Sequence, residues 1–292
     1  MANLQDYAVD IRPTWCPGCG DYAIWNSLKR AFVTAGHAPE EIIMVSGIGC
    51  GSKMSDYMRI NGLHTLHGRP VPVATGVRLA NTGRKVICVH GDGDGYGEGG
   101  NHFLHAARRN IGLVDLIENN HVYALTRGQV SPTSRRGLVT TTSPRGVLER
   151  PIKPLALALS QGATFVARGH SLDMEQLQHL IVEALGHRGY ALIDVMQVCV
   201  TYNREMGYDW YRERTYKVED EEGYDPGDLQ AAMAKALEFP GGDRIPTGII
   251  YRTEEVPAYE EGEATLEAGP LVGQPLHTRP RADYERLLDE HM

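Results

Sequence analysis

No apolar run in this 292-residue sequence approaches the roughly 20 residues that a membrane helix needs; the longest are segments such as Ile42–Val45. Basic charge is scarce as well. Lys and Arg number 29 against 37 Asp and Glu, a formal net charge of −8. Phosphate contacts need concentrated Lys and Arg, so nucleic acid is an unsuitable partner, and the juxtamembrane basic cluster that would suggest a lipid surface is lacking. The opening residues Ala2-Asn3-Leu4-Gln5-Asp6 lack both a basic region and an apolar core, so no secretory signal is expected and a cytoplasmic location is. Cysteine is limited to five residues. In a reducing compartment they are unsuited to structural disulfides, which points them toward metal or catalysis. No internal repeat or low-complexity tract is present. The 42% hydrophobic and 23% charged content is that of a globular chain.

What is plentiful is glycine: 33 residues, about 11% against a usual ~7%. An excess of glycine marks places where the backbone turns sharply or must approach something closely. The first two hundred residues alternate helix-like and strand-like segments, as an α/β fold does. Helices are expected over Asp21–Ala35, Asn101–Arg109 and Asp173 to about His187. Buried strands are expected at Ile42–Val45, Val86–Val89, Leu113–Ile117 and Ala191–Met196. After about Asn203 acidic clusters, Gly and Pro become frequent. One helix (Pro226–Phe239), one short strand (Ile245–Tyr251) and a terminal helix or frayed end (Ala282–His291) are expected there. We therefore divide the chain into an α/β domain, residues 1–202, and a C-terminal extension packed on it, residues 203–292.

Chemically capable residues follow four of the expected strands: Cys50, Asp92, Asn120 and Cys199. In open parallel sheets ligands bind beyond the carboxyl ends of strands, so these four are expected to converge. The run Gly91-Asp92-Gly93-Asp94-Gly95 suits a diphosphate, because glycines let backbone N–H groups reach phosphate oxygens at the start of a helix. A dinucleotide-binding turn beginning at Gly93-x-Gly95 is the alternative. Asp92 argues against it, since a carboxylate aimed at a diphosphate repels it unless a divalent cation lies between. The Asn120 amide oxygen and the Val122 carbonyl could complete an all-oxygen Mg²⁺ site. Taken alone, Asn119-Asn120 reads only as a turn.

Gly91-Asp92-Gly93 followed by Asn119-Asn120 resembles the motif of thiamine-diphosphate enzymes. With Ala107–Asn110, Tyr123, Thr126, Gly128-Gln129 and Ser131-Pro132-Thr133, the chain resembles the β subunit of 2-oxoacid:ferredoxin oxidoreductases. The likeness runs from Trp15-Cys16-Pro17-Gly18-Cys19-Gly20 to Pro246-Thr247-Gly248-Ile249. It implies a thiamine-diphosphate-binding fold, a mostly parallel sheet flanked by helices. Four cysteines can hold a [4Fe–4S] cluster or a structural Zn²⁺; the resemblance makes Cys16, Cys19, Cys50 and Cys199 ligands of a [4Fe–4S] cluster. Cys88, mid-strand between Ile87 and Val89, reads as a small buried hydrophobe.

The resemblance further implies that Asp92, Asn120 and Val122 hold Mg²⁺, and that Ile48, Gly49, Cys50, Gly51, Gly91, Gly93, Asp94, Ala124 and Leu125 lie along thiamine diphosphate. His67 is expected close to the cofactor. The implied reaction is oxidative decarboxylation of a 2-oxoacid, with coenzyme A taking the acyl group and ferredoxin the electrons, or the reverse reductive carboxylation. No Glu here carries a motif for activating the aminopyrimidine ring. In the family that group comes from the α subunit, within an assembly expected to be (αβ)2. Lys53 is placed to meet a substrate carboxylate. Leu125-Thr126-Arg127-Gly128-Gln129 departs from the Thr-Gly-Gly-Gln of pyruvate-type members, which favours 2-oxoglutarate, and so succinyl-CoA, over pyruvate or a broad 2-oxoacid range. Two rivals remain open: a non-redox thiamine-diphosphate decarboxylase or synthase, and a nucleotide-binding module with structural zinc.

Overall fold

The computed structural model describes residues 2–240, 242–274 and 280–292. In chain order the elements are α1 (Asp21–Thr34), β1 (Ile42–Ser46), β2 (Asn61–His64), α2 (Pro70–Ala80), β3 (Lys85–Gly91), α3 (Gly100–Arg109), β4 (Val114–Asn119), β5 (Val122–Tyr123), β6 (Gln129–Val130), α4 (Pro154–Ser160), β7 (Phe165–His170), α5 (Met174–Gly186), β8 (Ala191–Met196), α6 (Tyr208–Arg212), β9 (Thr215–Lys217), α7 (Leu229–Glu238), β10 (Ile245–Arg252) and α8 (Arg281–His291). No helix among the described residues is long and apolar enough to cross a membrane.

Eight strands form one sheet in the order β2-β1-β3-β4-β8-β7-β10-β9. The six strands from β2 to β7 run parallel, and β10 is antiparallel to β7. The central strands are largely apolar, as strands buried on both faces must be. Alternation divides them between two layers. Ile87, Val89, Leu116 and Ile193 pack under α1 and α5. Val86, Cys88, Ile117 and Leu192 pack under α2, α3, α4 and α7. Cys88 is thus fully buried in an apolar layer. The segment after Asn203 contributes β9 and β10 to the sheet itself. It also reaches both ends of the core: the Tyr208 hydroxyl donates to the Gly18 carbonyl at 2.7 Å, and Glu260 accepts from Arg78 at 2.7 Å.

Several elements lie outside the apolar-run reading. Strand β7 carries Arg168 in its middle, and α2 opens Pro70-Val71-Pro72. Proline in the first turn of a helix removes only N–H groups that have no helical partner. Arg168 is fully buried and donates to Asp194 on β8 at 2.9 Å. Asp194 also accepts from the Tyr96 hydroxyl and the Asn119 amide, each at 3.0 Å.

This buried pair makes a direct test. Removing one partner strands a charge in the core, so Arg168→Ala is expected to destabilise the chain by about 3–5 kcal/mol in denaturant unfolding. A cost near that of an exposed arginine would contradict the assignment.

Candidate active site

The loops after β1, β3, β4 and β8 open at one end of the sheet, and these four strands are consecutive neighbours. Convergence of the four strand ends is therefore geometric. A narrow cavity lies among the first three loops. Ile48, Gly49, Cys50, Gly51, His67, Gly91, Asp92, Gly93, Asp94, Asn120, Val122, Ala124 and Leu125 all line it, together with Glu118, Tyr123 and Thr126. A second cavity, of about 200 Å³, adjoins it; its walls include Cys16, Cys19, Cys50, Cys199 and Lys53. Cys50, Asn120, Ala124 and Leu125 belong to both cavities. Lys53 thus faces the cysteines rather than Asp92, and its ammonium donates to the Thr14 hydroxyl at 3.3 Å.

Asp92 immediately precedes the short helical turn Gly93–Glu98 and is almost completely buried. Its Oδ2 accepts from Ser131 at 2.5 Å and from the Thr133 hydroxyl. Burial pushes Asp92 up to about 6, against those donors. A carboxylate so deprived of water, with an amide oxygen beside it, is a donor set that fits a small hard cation. Asn120 Oδ1 accepts from Val122 N–H at 3.1 Å, which turns the chain so that both residues line the cavity. The Thr133 hydroxyl also lies 2.8 Å from Asn119 Oδ1, so its single proton is shared between two acceptors and it joins the two loops.

Asp94 organises the opposite wall. It accepts from Gly68 N–H at 2.7 Å, and its Oδ1 lies 2.9 Å from His67 Nδ1. The His67 ring remains 36% exposed. Behind Asp94, buried His90 bridges to Asp115, at 3.2 and 2.6 Å. Burial disfavours the charged imidazole, but the two carboxylates outweigh it and raise His90 to about 9. That charge in turn holds Asp94 below the usual carboxylate range, despite its burial. Among the described residues, His67 Nδ1 stands beside Asp94 without a hydrogen bond that fixes the ring.

Two further carboxyls are buried here: Glu118, which lines the first cavity, and Asp21, which is hydrogen-bonded to it. Burial raises both; the Asp21 charge lifts Glu118 further, well above the carboxylate range, whereas the hydrogen bond from Glu118 holds Asp21 down. Nothing in the sequence singles out Glu118, because the apolar run of β4 ends at Ile117. Ser131 and Thr133 stand out there only as part of a resemblance, and His90 and Asp115 carry no signal at all. Their roles appear only when β3, β4 and the 131–134 turn are brought together.

The cysteines are held by the backbone around them. Cys19 N–H donates to the Cys16 carbonyl at 3.0 Å, and Gly20 N–H ties the loop to Val198 at 3.1 Å. The Trp15 indole donates to the Cys50 carbonyl at 2.7 Å. Thr201 and Gln197 donate to the sulfurs of Cys16 and Cys19. Burial raises Cys19, Cys50 and Cys199, with Cys50 pushed up to about 12. As free thiols these are neutral; a metal centre that turns them into thiolates is the chemistry their setting fits. Among the described residues, no three His, Cys, Asp or Glu side chains gather closely enough for a single ion. The cysteines are spread instead around a cavity.

Residues 47–195 match the family described as thiamine pyrophosphate enzyme, C-terminal TPP binding domain. Residues 199–268 match the family of the C-terminal part of the pyruvate ferredoxin oxidoreductase beta subunit. The chain is 40% identical over 293 residues to a 2-oxoacid:ferredoxin oxidoreductase subunit beta of Saccharolobus solfataricus, covering 94% of this chain and 95% of that one. It is 40% identical over 205 residues to the 2-oxoglutarate synthase subunit KorB of Archaeoglobus fulgidus, covering 70% and 76%. Among solved structures, a 2-oxoglutarate:ferredoxin oxidoreductase from Magnetococcus marinus, with 2-oxoglutarate, coenzyme A and succinyl-CoA bound, superposes with a TM-score of 0.88. It is 35% identical, covering 98% of this chain and 96% of that chain. The fold is thus that of the thiamine-diphosphate-binding domain, a mostly parallel sheet flanked by helices.

Two glycines give a paired test of how tightly the site is packed. A Cβ at Gly51 would overlap the Glu118 carboxylate, whereas one at Gly100 meets nothing within 4 Å. Gly51→Ala is expected to lower stability by roughly 1–3 kcal/mol. Gly100→Ala, at the start of α3, is expected to be neutral or to add about 0.5 kcal/mol. Equal effects in urea unfolding would contradict the close approach at Gly51.

Proposed function

This chain belongs to the family of 2-oxoacid:ferredoxin oxidoreductase beta subunits, and from that premise we infer that it is the half of the enzyme that holds thiamine diphosphate, Mg²⁺ and a [4Fe–4S] cluster. The reaction is CoA-dependent oxidative decarboxylation of 2-oxoglutarate to succinyl-CoA and CO2, reversible toward reductive carboxylation. The electrons pass to ferredoxin. The observation that carries this reading is the wall shared by the two cavities: Cys50, Asn120, Ala124 and Leu125 border both.

Thiamine diphosphate supplies the carbon nucleophile and stores the electron pair left by decarboxylation. The chain's residues do the rest. Asp92, Asn120 and Val122 would hold Mg²⁺ against the diphosphate, with Ser131 and Thr133 fixing the Asp92 carboxylate. Ile48, Gly49, Gly51, Gly91, Gly93, Asp94, Ala124 and Leu125 would lie along the cofactor. His67, with Nδ1 beside Asp94, would offer its other nitrogen to hold or move a proton beside the cofactor. Cys16, Cys19, Cys50 and Cys199 would hold the cluster. Their spread around about 200 Å³ suits a polynuclear centre better than a single zinc ion, which counts against a structural-zinc module. A non-redox thiamine decarboxylase would leave these four cysteines without a use.

The substrate choice rests on Lys53, an ammonium at the cavity wall able to pair with a second carboxylate, and on the KorB relatives. Pyruvate, or a broad 2-oxoacid range, is the alternative. Completion of the site falls to the α subunit.

Two outcomes are expected. The chain without its α subunit shows no 2-oxoacid-dependent viologen reduction; full turnover by the lone chain would contradict the shared site. In the complex, Lys53→Ala lowers kcat/KM for 2-oxoglutarate by about tenfold or more, the worth of one charge-assisted contact, and leaves pyruvate little changed. Unchanged 2-oxoglutarate kinetics would remove Lys53 from substrate binding.

A further inference from the structure

Although the chain is acidic, residues 120–150 carry five arginines, Arg127, Arg135, Arg136, Arg145 and Arg150, and a single carboxylate, Glu149. All five arginines are exposed. Most lie in the long connection between β6 and α4. That loop is closed at its base by the Ile152 N–H bond to Pro132, at 3.0 Å. Across its middle, Gly137 N–H donates to Val147 at 2.8 Å and Val147 N–H to Leu138 at 3.0 Å. It is therefore a built element.

Its position is informative. The inner side chains Leu138 and Val147 are buried in one small cluster with Cys199 and Val122. Arg135 pairs with Glu205, just beyond the Cys199–Tyr202 segment, and Gly128 packs against Tyr202. The outer face carries Val139 and Leu148, 66% and 77% exposed. Among the described residues Arg136, Arg145 and Arg150 have no ion pair and no side-chain hydrogen bond.

Resting on the reading that the four cysteines hold the electron-carrying cluster, we propose that this arginine loop is the docking face for a small acidic one-electron carrier protein. Electron transfer falls steeply with distance, so an acceptor must sit over the wall that the loop and Cys199 share. Unpaired guanidinium groups around two exposed apolar side chains make a surface that steers an acidic partner and releases it readily, as a carrier that must cycle requires. The positive charge is local: it stands out from a chain of net charge −8, so it attracts an acidic surface of matching size rather than polyanions in general.

The test uses the anaerobic αβ complex and the triple variant R136E/R145E/R150E, with a purified, strongly acidic [4Fe–4S] ferredoxin as probe. Binding is read by surface plasmon resonance. The dissociation constant is expected to rise about tenfold or more at about 50 mM salt, and the difference to vanish near about 500 mM. The triple Arg→Lys variant should bind as wild type does. Viologen reduction by 2-oxoglutarate and coenzyme A should stay unchanged. An unchanged ferredoxin dissociation constant would overturn the proposal. So would loss of the α subunit in gel filtration, which would make the loop a subunit interface. A raised KM for coenzyme A with ferredoxin binding intact would likewise overturn it, by assigning the arginines to the phosphates of that cosubstrate. Absent viologen reduction in the wild-type complex would instead count against the site reading, while binding still decides the docking claim.

Discussion

Asp194 puts a carboxylate in the middle of the sheet with no access to solvent, and separate parts of the chain close around it. Arg168 reaches it from β7, Tyr96 from the glycine-rich turn after β3, and Asn119 from the end of β4. A buried carboxylate without such partners would cost several kcal/mol, so its environment is strongly constrained. The constraint extends outward. Asn119 accepts from Thr133, and Thr133 is also within hydrogen-bonding reach of Asp92. The carboxylate aimed into the cavity is therefore fixed, through two intermediaries, to the same charge that joins the central strands.

A second constraint is the amount of buried negative charge. Asp21, Asp92, Asp94, Asp115, Glu118 and Asp194 all lie buried within the core or at the C-terminal edge of the sheet. They are handled in different ways: Arg168 answers Asp194, the His90 imidazolium answers Asp94 and Asp115, and Glu118, its carboxyl raised well above the usual range by burial, hydrogen-bonds to Asp21. Asp92 has only neutral donors, the Ser131 and Thr133 hydroxyls and the Gly93 backbone. That residual charge at the mouth of a cavity gives the site its demand for a cation. The cysteine-lined cavity makes a demand of another kind: burial keeps three of its four thiols neutral, so a metal centre there would have to displace their protons. Both demands fall on one edge because β1, β3, β4 and β8 are neighbours.

Much of this is legible in the residues. The four apolar runs that form β1, β3, β4 and β8 end where chemistry-bearing residues begin, and parallel strands bring such ends together. Boundaries shift by a few residues at most; β3, for example, extends to Gly91. Elements without an apolar run are not legible. Strand β2 is an exposed edge of Asn61-Gly62-Leu63-His64, and the charge of Arg168 masks β7 because its partner Asp194 lies far away in sequence. The supporting partners of the site are invisible for the same reason. Nothing local marks Glu118 as facing Asp21, or His90 as bridging two aspartates; these are facts of strand order. The arginine loop is visible as composition, but its meaning depends on Leu138 and Val147 meeting Cys199.

What the four cysteines hold decides most. Iron, acid-labile sulfide and zinc can be counted in the αβ complex purified without oxygen. About four irons and four sulfides per β chain, with no stoichiometric zinc, are expected. One zinc per chain with no sulfide, or a complex that is fully active without either metal, would contradict a cluster held by Cys16, Cys19, Cys50 and Cys199.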